Sequence, residues 1–209
     1  ADYIINVELD DEKQTISGSE TITYFNNSPE ELKYLWLQLD QNINADNSMT
    51  KKTSNNSIRD SIPAKFLATT TNAYDYKGGY LIKAVKDATG KPLPYIINFT
   101  MMRVDLPQPL KKGEKFVFGV VWSFKIYDRV MVSGRSGMEY FPEDGNYSYT
   151  IAQWFPRMCV FDDYEGWQNK QFLGAGEFTL TFGNYRVRIT VPSDHIVGAT
   201  GWIQNPKEV

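Results

Sequence analysis

The sequence of 209 residues holds one histidine, His195, in the run Pro192-Ser193-Asp194-His195-Ile196. Zinc hydrolysis needs two or three imidazoles, commonly one helical turn apart as in H-E-x-x-H, and a single histidine cannot supply them. A nucleophile and base would have to pair His195 with Ser193 or Cys159, and neither lies in the glycine-flanked elbow that exposes a nucleophile. Asp162, Asp163 and Glu165 could offer oxygens to calcium. The spacing and glycine of an EF-hand loop are missing, so a solvated acidic turn is the simpler reading. Glu139 with Glu143, or Asp144 with Glu165, have the residue types of a glycosidase pair, but sequence does not fix their separation. Trp154, Trp167 and Tyr164 could stack on a sugar, although large aromatics ordinarily pack in a core or a domain interface. Cys159 reads as a small buried hydrophobe with no imidazole to activate it. His195 reads as a residue at the start of a strand with a local hydrogen bond. Any catalytic engine is expected outside these residues, which makes an accessory domain of a larger chain the leading reading.

Composition fits that reading. Apolar residues make up 42% and aromatics 14%, enough for a packed core. Thirteen Tyr, twelve Phe and five Trp favour strands, which accommodate flat side chains. The net charge of −3 is dispersed, with no basic stripe, so nucleic acid is not an expected partner. One cysteine excludes an intrachain disulfide. No apolar run approaches the roughly 20 residues of a membrane-spanning helix.

The elements that must position these residues follow from alternation. Tyr3 to Leu9 predicts a short strand, and Thr15 to Phe25 a long half-exposed one. Asn26 to Pro29 breaks the pattern. Leu32 to Leu39 resumes it with Leu35, Leu37 and Leu39 on one face. Residues 41–76 are rich in Asn, Ser and Thr and predict a surface excursion, with at most a short helix around Ile58, Ile62 and Phe66. Gly78 to Val85 and Tyr95 to Val104 flank Asp87 to Pro92 and predict a hairpin. Pro107 to Gly113 predicts a further turn. Glu114 to Ile126 predicts a long strand with Phe116, Phe118, Val120, Trp122 and Phe124 on one face. Gly174 to Val191 predicts an object of the same kind, interrupted at Gly183-Asn184, and His195 to Ala199 a last short strand. Eight to a dozen strands with little helix imply an all-β fold: a mostly antiparallel, multi-stranded sandwich in a single domain over 1–209.

The densest stretch is 137–167, where many aromatics share a loop-rich segment with two prolines. Such loops usually dock onto something. Within it, Ala152-Gln153-Trp154-Phe155-Pro156-Arg157-Met158-Cys159-Val160-Phe161-Asp162-Asp163 resembles the N-terminal domain of zinc aminopeptidases of the aminopeptidase N and leukotriene hydrolase type, in particular their bacterial branch. The resemblance continues through Leu173 to Phe178, Phe182 to Val187, Ile189 to Pro192 and Ala199 to Gly201. It includes the opening segments Tyr3 to Leu9, Ile16 to Gly18, Tyr24 to Pro29 and Leu35 to Asn42. In order and spacing it covers most of the chain, least surely 46–76.

The resemblance implies a saddle-shaped, mostly β domain that precedes a thermolysin-like catalytic domain. Zinc, H-E-x-x-H and the G-x-M-E-N loop that grips the peptide amine would belong to that second domain, the expected partner of this one. Gly137-Met138-Glu139 only echoes that loop, since Tyr140 stands where Asn is wanted. One role falls to this chain: the glutamine matching Gln153 lines the pocket for the substrate's first residue, helped in the family by a Gln or Glu two places on, where this sequence has Phe155. A glutamine carbonyl accepts from an α-ammonium without adding charge. Without the resemblance, Gln153 is a strand residue bonding its neighbours. The implied function is a non-catalytic wall of an aminopeptidase cleft, binding the peptide N-terminus through Gln153 and Phe155. The rival readings are a carbohydrate-binding sandwich and a structural domain of the cell envelope. A bacterial periplasm or envelope is favoured over the cytoplasm.

Overall fold

The computed structural model describes residues 1–53, 61–64, 67, 76–130, 132, 135–176 and 178–207. In chain order the strands are β1 (Asp2–Asp10), β2 (Thr15–Phe25), β3 (Leu32–Gln38), β4 (Leu81–Asp87), β5 (Tyr95–Asn98), β6 (Met101–Leu110), β7 (Lys115–Lys125), β8 (Gly137–Phe141), β9 (Asn146–Thr150), β10 (Arg157–Met158), β11 (Phe161–Asp162), β12 (Gly166–Trp167) and β13 (Tyr185–Thr190). A 3-10 turn covers Asp40–Asn44 and a short helix, α1, covers Met49–Thr53. The Ser48 hydroxyl accepts the Lys51 N–H at 3.2 Å and so caps α1. The helix expected around Ile58 and Phe66 involves residues outside the described set.

The fold is mainly β. One sheet has the order β13-β1-β2-β7-β4, a second the order β10-β3-β6-β5, and β8-β9 and β11-β12 form separate hairpins. Among the described residues, these strands pair antiparallel except β1 with β13, and a lone parallel bridge joins Asp128 to Met138. Alternation explains the layering. Tyr3, Ile5, Val7 and Leu9 of β1 and Phe118, Val120, Trp122 and Phe124 of β7 are buried in one cluster with Leu35, Leu37, Met102 and Val104 of the second sheet. Gly18 is required where it stands, because a Cβ there would come within 2.4 Å of the Trp122 indole. That ring lies across the strand where a side chain would otherwise project.

Four expectations are corrected. The turn at 87–92 is tight: the Asp87 carboxylate accepts the Thr89 and Lys91 N–H groups at 2.8 and 3.0 Å. Its two arms pair only next to the turn, through the Lys86–Pro92 bridge and the bonds from Asp87 N–H to the Lys91 carbonyl at 2.9 Å and from Leu93 N–H to the Val85 carbonyl at 3.0 Å, and then part. β4 pairs with β7, and β5 pairs with β6 in the other sheet. Pro92 and Pro94 lack the donors that would extend the ladder, so the chain crosses between layers there. The run expected as one strand from Tyr95 to Val104 is two, folded back at Phe99-Thr100 with Phe99 at φ 51°. The turn expected at Pro107 to Gly113 is shorter, because β6 continues to Leu110. Its prolines stand where β3 slips register between Leu32 and Tyr34, a place where missing donors are tolerated. Finally, Gly174 to Val191 forms strand only at β13, preceded by an isolated bridge from Leu180 to Cys159, and His195 to Ala199 is not strand. Among the described residues, the part before β13 and the run from His195 to Ala199 join no ladder beyond that bridge.

Candidate functional site

The 3-10 turn and loops outside the strands line a pocket of about 190 Å³, whose lining residues include Asp40, Gln41, Asn44, Tyr127, Ser136 and Gln153. Its floor is the 3-10 turn, and three consecutive buried polar side chains there each hold a different segment. Asp40 accepts from Arg157 Nε at 3.0 Å and Nη2 at 2.6 Å, and from Gln38 Nε2 at 2.6 Å. Burial pushes its carboxyl up, and the Arg157 guanidinium opposes that. Gln41 Nε2 donates to the carbonyls of Ala152 at 3.0 Å and Gln153 at 3.2 Å. Asn42 donates to the Phe99 carbonyl at 2.7 Å and accepts the Tyr80 N–H at 2.7 Å. A turn this short cannot satisfy its own backbone and side-chain groups, so its polar residues bind neighbouring loops instead.

The wall of the pocket is the link between β9 and β10. Ser136 organises it: its N–H donates to the Tyr127 hydroxyl, its hydroxyl donates to the Thr150 carbonyl, and its oxygen accepts the Ala152 N–H at 2.9 Å. Gln153 follows at φ 51°, one of three non-glycine residues with positive φ among those described. Its carbonyl accepts from Gln41 and, at 3.1 Å, from the Tyr80 hydroxyl. Its side-chain amide has no hydrogen-bond partner among the described residues. Left-handed conformation in an L-residue costs about 1–3 kcal/mol and concentrates at functional sites.

Phe155 lies elsewhere. It packs on Tyr3, Trp154 and Tyr185, with ring centroids 4.8–6.2 Å away, and is not among the pocket's lining residues. The structure therefore does not bring Gln153 and Phe155 together at the pocket. Gln41, Tyr80, Asn42 and Ser136 were not singled out from sequence. The signal available was the polar run Asp40-Gln41-Asn42 directly after an apolar strand.

The other sequence candidates separate. Asp162 accepts the Tyr164 and Glu165 N–H groups and Gln168 Nε2, which hold its carboxyl below the usual range, and Glu165 pairs with Lys170 at 2.8 Å. These acids close their own turn. Glu139 faces Arg129 at 3.7 Å. Trp154 packs on Trp122 and Phe155, and Trp167 on Phe161 and Tyr24, while Tyr164 is 91% exposed, so the three rings do not form one exposed platform. Burial pushes the Cys159 thiol up to about 12, which leaves it unreactive at neutral pH. His195 Nδ1 lies 2.8 Å from Asp194 and its ring stands against Tyr149. Among the described residues no three His, Cys, Asp or Glu side chains gather as metal ligands.

No protein-family model and no curated protein sequence matches the chain. Among solved structures it is similar to an M1 zinc metallopeptidase from Deinococcus radiodurans, at 14% identity and a TM-score of 0.45, over 92% of this chain and 32% of that one. A mutant M1 zinc metallopeptidase from the same organism, bound to a Tyr-Ser-Ala substrate, gives the same values. A two-domain M1 zinc metallopeptidase mutant bound to L-arginine gives 14% identity and a TM-score of 0.46, with the same coverage. The chain thus spans about a third of the length of these structures. Likeness at this distance carries no assignment of role.

Proposed function

We propose that this chain is the non-catalytic N-terminal domain of a zinc-dependent aminopeptidase. It walls one side of the cleft and accepts the α-ammonium of the peptide N-terminus through Gln153. One observation carries the reading. At the pocket wall Gln153 is held in a left-handed backbone by donors to its carbonyl, while its side-chain amide is left unpaired. Backbone strain of this kind concentrates at functional sites, and the half-buried amide it carries is left free to meet a ligand. The amide carbonyl supplies an acceptor for an ammonium. The order of segments quoted above from 152 onward supports the same assignment. The carbohydrate-binding reading loses its platform because Trp154 and Trp167 are packed against the core.

The test uses L-leucinamide, which carries a free α-ammonium, and N-acetyl-leucinamide, which does not. Nitrogen-15 NMR of the chain should show the Gln153 side-chain amide shifting with leucinamide and not with the acetylated probe. Gln153→Ala should abolish the response of the pocket residues. Equal response to both probes would sink the reading.

A further inference from the structure

We infer that Tyr80 and Gln41 are positioning residues whose purpose is to hold Gln153 in its left-handed conformation, and so to set its amide for the ammonium. The recognition role rests on the reading proposed above, but the backbone claim stands separately. Glycine is the residue that takes positive φ without penalty, and Gln153 is not one. A strained conformation persists only where the surroundings over-determine it. Here they do so on both peptides that flank Gln153. Gln41 Nε2 bridges the carbonyls of Ala152 and Gln153, and the Tyr80 hydroxyl adds a second donor to the latter. Ser136 Oγ fixes the Ala152 N–H.

The donors are themselves fixed. The Tyr80 ring stands edge-on to Trp122 and Phe124, at 5.7 and 5.5 Å and 83° to each. Its backbone N–H is tied to Asn42. Burial pushes the Tyr80 hydroxyl well above its ordinary range, which agrees with a group that remains a donor. Tyr80 thus carries the rigidity of the sheet, through Trp122 on β7, to a peptide more than seventy residues away in sequence. No apolar need explains its hydroxyl, since a phenylalanine would fill the same space between the two rings.

The test measures backbone geometry and binding separately. Tyr80→Phe keeps the ring and deletes the donor, and Gln41→Met keeps the length and deletes both of its bonds. In the intact chain, three-bond HN–Hα couplings and carbon shifts report φ at Gln153. Each variant should shift Gln153 toward negative φ, and the double variant should complete the change, while the Trp122 indole resonance stays in place. Leucinamide binding should weaken by about tenfold per deleted donor, the scale of one hydrogen bond. Tyr80→Phe combined with Gln153→Gly should retain positive φ, because glycine needs no clamp. If φ at Gln153 remains positive in the double variant, the inference is overturned, whatever leucinamide does. If φ responds while the unaltered chain ignores leucinamide, the clamp stands and only the recognition role falls.

Discussion

β7 and β13 are written in the same alternating code but have different fates. Phe118, Val120 and Trp122 of β7 are fully buried, whereas Tyr185, Val187 and Ile189 of β13 are 49%, 40% and 39% exposed. The register shows that they belong to one continuous surface. Ile5 pairs with Val187 and Val7 with Ile189, so the core-facing side of β1 runs on to β13. Yet Ile5 and Val7 are buried and their neighbours are not. β7 lies between β2 and β4 and packs on the second layer, while β13 is the edge of its sheet. Alternation specifies which face of a strand is apolar; whether anything lies over that face is a tertiary fact. Phe182 and Trp202, at 96% and 93% exposed, extend the uncovered apolar surface of the C-terminal third. Surface of this kind marks interaction faces in proteins generally.

The largest effect should come from truncating the covered side. Trp122→Ala removes a ring packed against Gly18, Tyr80, Phe124 and Trp154 and should cost about 3–5 kcal/mol in urea denaturation. Val187→Ala deletes the same kind of inward-facing side chain at the edge and should cost less than about 1 kcal/mol. Similar losses in the two would break the comparison, because they would mean that β13 is covered in solution.

How far the sequence reveals this can be read strand by strand. The bounds of β2 coincide with the alternating run from Thr15 to Phe25, since β7 pairs along its full length and β1 from Thr15 to Thr23. The strands flanking Asp87 to Pro92 were visible too, but not the sheet each one joins, because that depends on which partner offers unpaired donors. The turn at Phe99-Thr100 carries no glycine or proline and leaves no local trace. Resemblance pointed to Gln153, but its left-handed backbone was hidden. The donors to its carbonyl are Gln41 and Tyr80, 112 and 73 residues away, and no window of neighbouring residues contains them.

An intermediate effect tests how dry the covered side is. Glu20 of β2 pairs with Ile5 and Val120, is 3% exposed, and neither carboxylate oxygen has a partner among the described residues. Burial raises its carboxyl well above the ordinary value of 4.5. The folded chain therefore keeps a proton that the unfolded chain releases. The Glu20 contribution to stability is fully present below pH 4.5 and is lost as pH rises from there toward the folded value. Glu20→Leu should stabilise the protein at pH 7 by roughly 1–3 kcal/mol. The difference between the two proteins should shrink as pH is lowered toward 4.5. Destabilisation at neutral pH would show that the carboxylate has a partner and that the layer is wetter than its apolar neighbours imply.

The smallest effect on stability should carry the clearest information about the edge. Val187→Thr and Ile189→Thr keep β-branching, and so the strand preference, while exchanging apolar surface for hydroxyl. Because both side chains already meet solvent, the transfer term that punishes such a change in a core is largely absent, and stability should move by no more than about 0.5 kcal/mol. The exposed apolar area should fall, and with it the binding of a hydrophobic dye such as ANS and the tendency of the chain to self-associate in sedimentation velocity. Ile5→Thr, one strand inward and in register with Val187, is the control. It buries a hydroxyl without a partner and should destabilise by about 1–3 kcal/mol. A large difference between Ile5 and Val187, side by side on one surface, would place the limit of the covering layer between β1 and β13. Equal costs at the two positions would mean that the free chain closes over its own edge.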